Sequence, residues 1–191
     1  MTLEFDGKQE LVRRIDGVVD GDCAFTITEC VRNALCRLMD ERRLNLPAAV
    51  YECPADHYGR RLIHKDPVRG YTIMAMSWGP GQGTPVHDHA GMWCVEAVWD
   101  GCIEVTQYEL TERRDDRYRL EPRTTMRAGI GSAGSLIPPH EYHTIRNPST
   151  ADTAVTIHIY SGEMCECSVF KPLEADHWHR RESRKLTLDA A

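Results

Sequence analysis

The chain has 191 residues, 41% of them hydrophobic and 27% charged, which is enough apolar material for one ordinary core and excludes a disordered or low-complexity chain. Lys and Arg number 23 against 29 Asp and Glu, a formal charge of −6, so the basic footprint of a general nucleic-acid binder is missing. No apolar run approaches the ~20 residues that cross a bilayer, and neither nucleic acid nor membrane is expected as a partner.

The opening residues, MTLEFDGKQE, carry neither a basic start nor an apolar stretch, so the expectation is a cytoplasmic protein without a signal peptide. In that compartment the eight irregularly spaced cysteines read as reduced thiols, and the Cys165-Glu166-Cys167 pair, lacking a second pair, as incidental. Helical steps come first in the chain. Leu11, Ile15 and Val18 recur at them, and Ile27, Val31, Leu35 and Leu38 do so more clearly, ahead of Arg37, Arg42, Arg43 and the breaker Pro47. From about residue 57 the texture changes to short runs rich in Val, Ile, Thr and Tyr, at Tyr71–Met76, Cys102–Tyr108 and Ala154–Tyr160. Glycine and proline punctuate them, as in Gly79-Pro80-Gly81-Gln82-Gly83 and Gly129-Ile130-Gly131. The predicted organisation is a helical cap over 1–56, a β-barrel or sandwich over 57–172, and a charged tail over 173–191 that either packs on the barrel or lies loose. All three would form a single structural domain. In that tail His177 and His179 read as solvent-exposed.

The strongest local signal is Gly81-Gln-Gly-Thr-Pro-Val-His87-Asp-His89-Ala-Gly-Met-Trp-Cys94, closing at Gly101. Residues i and i+2 of a strand share a face, so His87 and His89 would project two imidazoles into one space while Asp88 points away. A second cluster, Pro138-Pro139-His140-Glu141-Tyr142-His143 followed by Asn147, supplies a third nitrogen from His143 or His140. Three neutral nitrogens would leave a six-coordinate ferrous ion three open positions, as a site for substrate and dioxygen together needs, although zinc or copper also accept three imidazoles.

These residues resemble the cupin superfamily. Its first motif, Gly-x5-His-x-His-x4-X-x6-Gly, runs here from Gly81 through His87, His89 and position 94 to Gly101; its second is matched by Pro138, His143 and Asn147, with His140 where glycine is usual. Most metal cupins carry a glutamate ligand at the place of Cys94, and that replacement looks like the thiol dioxygenases, of which cysteine dioxygenase type I is the best known. The resemblance covers about Tyr58 to Phe170. It implies an all-β cupin barrel (a double-stranded β-helix, or jelly roll) with N-terminal α-helices, holding one Fe(II) per chain through His87, His89 and His143.

By the same resemblance, a small thiol and O2 are the partners, and L-cysteine becomes cysteine sulfinic acid. Arg60, beside Tyr58, would clamp the substrate carboxylate, a task suited to a planar guanidinium fork. Relatives preferring 3-mercaptopropionate carry Gln there, and the neighbouring Arg61 leaves the choice to strand register. Thr156, His158 and Tyr160 stand where the family has a Ser-His-Tyr relay, and the hydroxyl of Thr keeps the relay feasible. Cys94 permits a thioether cross-link to Tyr160. Glu96 lies beyond the position cupins use for a ligand. The alternatives are dioxygenation of 3-mercaptopropionate or another thiol acid, and, more remotely, a cupin isomerase, a carbon oxygenase or a sensor.

Overall fold

The computed structural model describes residues 2–173 and 176–190. Two helices open it, α1 (Lys8–Val19) and α2 (Ala24–Asp40), each with one buried stripe: Leu11, Ile15 and Val19 on the first, Thr28, Val31, Leu35 and Leu38 on the second. Val18 and Ile27, expected on those stripes, flank them and are only partly buried. Neither helix is long and apolar enough to cross a membrane.

The strands form two antiparallel sheets. The first contains β1 (Gly59–Asp66), β2 (Tyr71–Trp78), β4 (Cys94–Asp100), β7 (Ala133–Leu136) and β9 (Ala154–Tyr160), in the order β1-β2-β9-β4-β7. The second contains β3 (Val86–His87), β5 (Cys102–Arg114), β6 (Arg117–Gly129), β8 (His143–Arg146), β10 (Glu166–Pro172) and β11 (Trp178–Lys185), and closes on itself as β10-β11-β6-β5-β8-β3. Apart from the hairpins β1–β2, β5–β6 and β10–β11, successive strands cross from one sheet to the other, as in a jelly roll.

Strands β2 and β9 are buried at every residue because each has two covered faces. Ile73, Ala75, Val95, Val155, Ile157 and Ile159 share a core with Val31, Leu35 and Leu38 of α2. The alternate residues, Met74, Met76, Trp78, Cys94 and Tyr160, pack in a second core inside the barrel. The two-residue period of a strand thus sorts helix-facing from barrel-facing side chains. Leu35, 1% exposed, sits in the seam between helix and sheet. Leu35→Ala is expected to cost about 3 kcal/mol and lower the thermal midpoint by roughly 6–12 °C, read by circular dichroism.

Of the two expectations for the charged tail, its described residues follow packing on the barrel. Within it, β11 lies between β10 and β6, pairing with both. His179, expected in solvent, is 8% exposed, with its Nδ1 donating to the His177 carbonyl at 2.7 Å, whereas His177 is exposed. Of the eight residues of β11 only His179 is buried, so the strand is held by its backbone ladder and writes no apolar alternation into the sequence. Beyond β11 the chain returns to β1, where the Asp189 N–H donates to the Arg60 carbonyl at 2.8 Å and the Arg60 N–H donates to Asp189 Oδ2 at 2.7 Å.

Candidate metal centre

His87 ends β3 and His143 begins β8, and the two strands pair at just these residues. His89 follows in the turn made by Ala90 and Gly91, both at positive φ. The three rings converge, with centroids 4.3 Å apart for His87 and His143, 5.3 Å for His87 and His89, and 5.0 Å for His89 and His143. His89 and His143 are fully buried and His87 is 8% exposed. His140, the other candidate for the third nitrogen, is exposed.

Backbone carbonyls orient two of the rings. His87 Nδ1 lies 3.2 Å from the Pro85 carbonyl and His143 Nδ1 lies 2.8 Å from that of Glu141. A carbonyl only accepts, so each Nδ1 carries the hydrogen and each Nε2 presents a lone pair inward. Glu141 serves twice, since its Oε2 also accepts from the His89 N–H at 3.0 Å. Both ring nitrogens of His89 and Nε2 of His143 are buried without a hydrogen-bond partner. Orphaned buried nitrogens are costly, and three converging imidazoles relieve that cost by sharing a cation. One ligand atom from each of His87, His89 and His143 lies within 4.8 Å of the others. The donor set therefore fits a metal ion. Burial, with the neighbouring His143, pushes His87 down to about 3 and His89 well below the usual imidazole range, which keeps both neutral and able to ligate near neutral pH. His143 moves the other way, up, because the Glu96 carboxylate outweighs its burial.

On the barrel face of β9 stand Thr156, His158 and Tyr160. Trp78 Nε1 donates to Thr156 Oγ1 at 2.8 Å, and Thr156 Oγ1 lies 2.7 Å from His158 Nε2. His158 Nδ1 in turn lies 3.2 Å from both the Tyr160 hydroxyl and Glu96 Oε1, so with its Nε2 accepting from Thr156 the imidazole can offer its hydrogen to either. Trp78 is a member of this chain that sequence reasoning missed. Cys94 and Tyr160 sit opposite each other in the β4–β9 register. Burial pushes both the Cys94 thiol and the Tyr160 phenol well up, so both are protonated near neutral pH.

Glu96, set aside from the motif spacing, lies in this centre. It is two residues beyond Cys94 on the same strand face, 7% exposed, with Oε1 3.4 Å from His143 Nε2 and 3.2 Å from His158 Nδ1. The spacing rule describes where a ligand usually falls; strand geometry sends position 96 into the same space as position 94.

A cavity beside the rings is walled by Tyr58, Arg60, Trp78, His87, His158 and Tyr160. Tyr58 stacks on Trp78 with ring centroids 4.6 Å apart. Arg60 pairs with Met76 in the β1–β2 register and Arg61 with Ala75, and these partners belong to the barrel core and the helix-facing core respectively. Arg60 donates to the carbonyls of Thr187 and Met164, at 3.1 and 3.2 Å, which leaves three of its five N–H groups without a partner among the described residues. Arg61, also buried, is spent on Ser77 Oγ and the Glu52 and Ala190 carbonyls. Arg184 also lines the cavity, a contribution of β11 that the unread tail concealed. Asn147 of the second motif serves the scaffold, its Nδ2 donating to the Trp78 and Asp152 carbonyls.

The family model for cysteine dioxygenase type I matches residues 49–172. The chain is 25% identical to cysteine dioxygenase type 1 of Rattus norvegicus over 117 residues, 59% of this chain and 55% of that one. With the Danio rerio enzyme it shares 23% over 120 residues, 63% of this chain and 59% of that one. The matched region thus spans little more than half the length of these curated relatives. Similar solved structures include TT1209 from Thermus thermophilus, at 17% identity over 59% of this chain and 90% of that one, TM-score 0.45. The cupin domain of Schizosaccharomyces pombe Cnp3 is similar at 14% identity over 63% of this chain and 76% of that one, TM-score 0.45.

Proposed function

The chain belongs to the cysteine dioxygenase type I family, and from that premise we propose that it is a thiol dioxygenase using one ferrous ion to convert L-cysteine and O2 into cysteine sulfinic acid. The observation that carries the reading is the convergence of His87, His89 and His143 on one buried point, with orphaned nitrogens of His89 and His143 there, beside a cavity lined by the Arg60 guanidinium. Both oxygen atoms end on sulfur (R–SH + O2 → R–SO2H), so the thiol is its own reductant. A ferrous ion held by the three histidines would supply the redox chemistry that joins thiol and dioxygen.

The protein's own groups bind and orient. Arg60 takes the substrate carboxylate with its remaining N–H groups. Tyr58, stacked on Trp78, forms an apolar wall that excludes water. The Trp78–Thr156–His158 chain presents a hydrogen toward Tyr160 Oη, and the phenol in turn donates its own hydrogen into the cavity. Cys94, opposite Tyr160, is placed for a thioether cross-link, which would appear as loss of two hydrogens by mass spectrometry of the intact chain.

The test is anaerobic loading with Fe(II), followed by oxygen uptake with L-cysteine and, separately, 3-mercaptopropionate. One O2 consumed per thiol with a sulfinate product supports the reading, whereas no uptake despite stoichiometric iron refutes it. Arg60→Gln is expected to raise KM for L-cysteine about 10- to 100-fold, the worth of a charge-assisted pair, with a smaller change in kcat. Arg61→Gln should lower the thermal midpoint and leave KM unchanged.

A further inference from the structure

We propose that Arg184 forms a second anion subsite at the mouth of the substrate cavity, so that the site accepts thiols carrying two carboxylates, one on Arg60 and the other on Arg184. The substrate class rests on the thiol-dioxygenase reading above and extends it; the subsite itself follows from register, cavity and charge.

Arg184 stands opposite Cys167 in the β10–β11 ladder, and partners across a ladder share a face. Cys167 is 6% exposed and belongs to the core inside the barrel, so Arg184 stands on the barrel side of β11. An exposed arginine on the outer side would be an ordinary solvated residue. Arg184 is exposed and yet lines the cavity beside the metal centre, which is the position of a residue at an opening. A second hollow of about 140 Å³ adjoins that cavity and shares Tyr58, Arg60, Arg184 and Leu186 with it. None of His87, His89 and His143 lines this outer hollow, so a group held there lies at the end of the substrate far from sulfur.

Neither guanidinium is saturated. Arg60 donates to two carbonyls only. On β11, Arg180 is engaged by Asp116 and Arg181 by Ser168, whereas among the described residues the Arg184 guanidinium has neither a hydrogen bond nor an ion pair. Burial pushes the Tyr58 phenol up and, with Asp88, the Cys167 thiol up to about 11, and at both groups the charges of Arg60 and Arg184 act in opposition. The two cations therefore act on the same space. Like charges bordering one hollow repel, and anions between them convert that repulsion into attraction. One carboxylate fills one planar fork, which leaves the second fork for a second carboxylate. His57, also at the hollow, is already engaged by Asp56 and Asp189, at 2.7 and 3.0 Å.

The probe is 2-(mercaptomethyl)succinate, which contains the whole of 3-mercaptopropionate and adds one carboxylate beyond it. Kd for both thiols is measured by calorimetry on the full chain kept anaerobic, for wild type, R184A, R184K and K185A, with circular dichroism as the fold control. Wild type is expected to bind the diacid about tenfold more tightly than the monoacid, the lower end for a charge-assisted pair because Arg184 is open to water. R184A should raise the diacid Kd about tenfold and the monoacid Kd less than threefold, with R184K recovering part of the loss. Equal wild-type affinities, or a diacid Kd that R184A leaves unchanged, overturns the subsite, as does loss of the advantage in K185A alone. Arg184-dependent binding of the diacid without oxygen uptake on any thiol would leave the anion subsite standing and refute the proposed function.

Discussion

His143→Ala is expected to abolish metal loading and, with it, oxygen uptake with either thiol, while the barrel remains folded. The side chain has no exposed surface, its one hydrogen bond is to the Glu141 carbonyl, and its inward nitrogen has no protein partner. Removal therefore deletes a ligand and leaves the buried Glu96 carboxylate with His158 beside it at 3.2 Å. Loss of a group that only orients a ligand costs about 10–100-fold in metal affinity, so loss of a ligand should exceed about 100-fold. Two readouts test this apart from turnover: bound metal per chain after desalting, and the rise in thermal midpoint that metal confers by binding only the folded state. Both should vanish in His143→Ala and persist in His140→Ala, whose imidazole is exposed. Stoichiometric metal held with wild-type affinity by His143→Ala would remove this histidine from the centre.

Metal-free protein is expected to lose stability steeply as pH falls below 6.5. His87 and His89 are neutral when folded, with His87 pushed to about 3 by burial, whereas in the unfolded chain they accept protons at the ordinary imidazole value of 6.5. Above 6.5 both states are neutral and the groups contribute no pH dependence. Between 6.5 and about 3 the unfolded chain binds more protons, and each such group costs up to about 1.4 kcal/mol per pH unit. His143 has the opposite sign, its raised value contributing stability below 6.5 that is lost as pH rises through the folded value. Glu96, held well down by His158 and His143, contributes above its ordinary 4.5 and loses that contribution as acid protonates it. Two imidazoles outweigh one, and the carboxylate adds to them at the acid end. The measurement is the thermal midpoint of chelator-treated protein from pH 7.5 to 4. A midpoint that stays level from 7.5 to 5 would show that the centre does not hold its imidazoles neutral.

The helices and the strands facing them were legible because their message is local. Leu11 and Ile15, or Val31, Leu35 and Leu38, repeat at the helical step, and Ala154–Tyr160 repeats at two, so one covered face writes itself into neighbouring residues. The same two-residue step put His87 and His89 on one side, and the resemblance supplied His143 from a loop more than fifty residues away. What the chain's order could not express was who stands opposite whom. The β1–β2 register separates Arg60 from Arg61 by which core each partner joins, and the β4–β9 register sets Cys94 against Tyr160 and Glu96 against His158. Trp78 reaches Thr156 only because β2 lies beside β9. The tail was silent because β11 buries only His179 and is held by backbone hydrogen bonds that any side chain permits. Sequence by itself determined the β-rich, helix-capped fold class and the shared face of His87 and His89, with the family resemblance choosing His143 over His140, since periodicity and motif spacing are properties of neighbours along the chain. Tertiary structure alone decided the place of Glu96, the hydrogen-bond chain and the role of β11, since these depend on strands far apart in sequence meeting in one register.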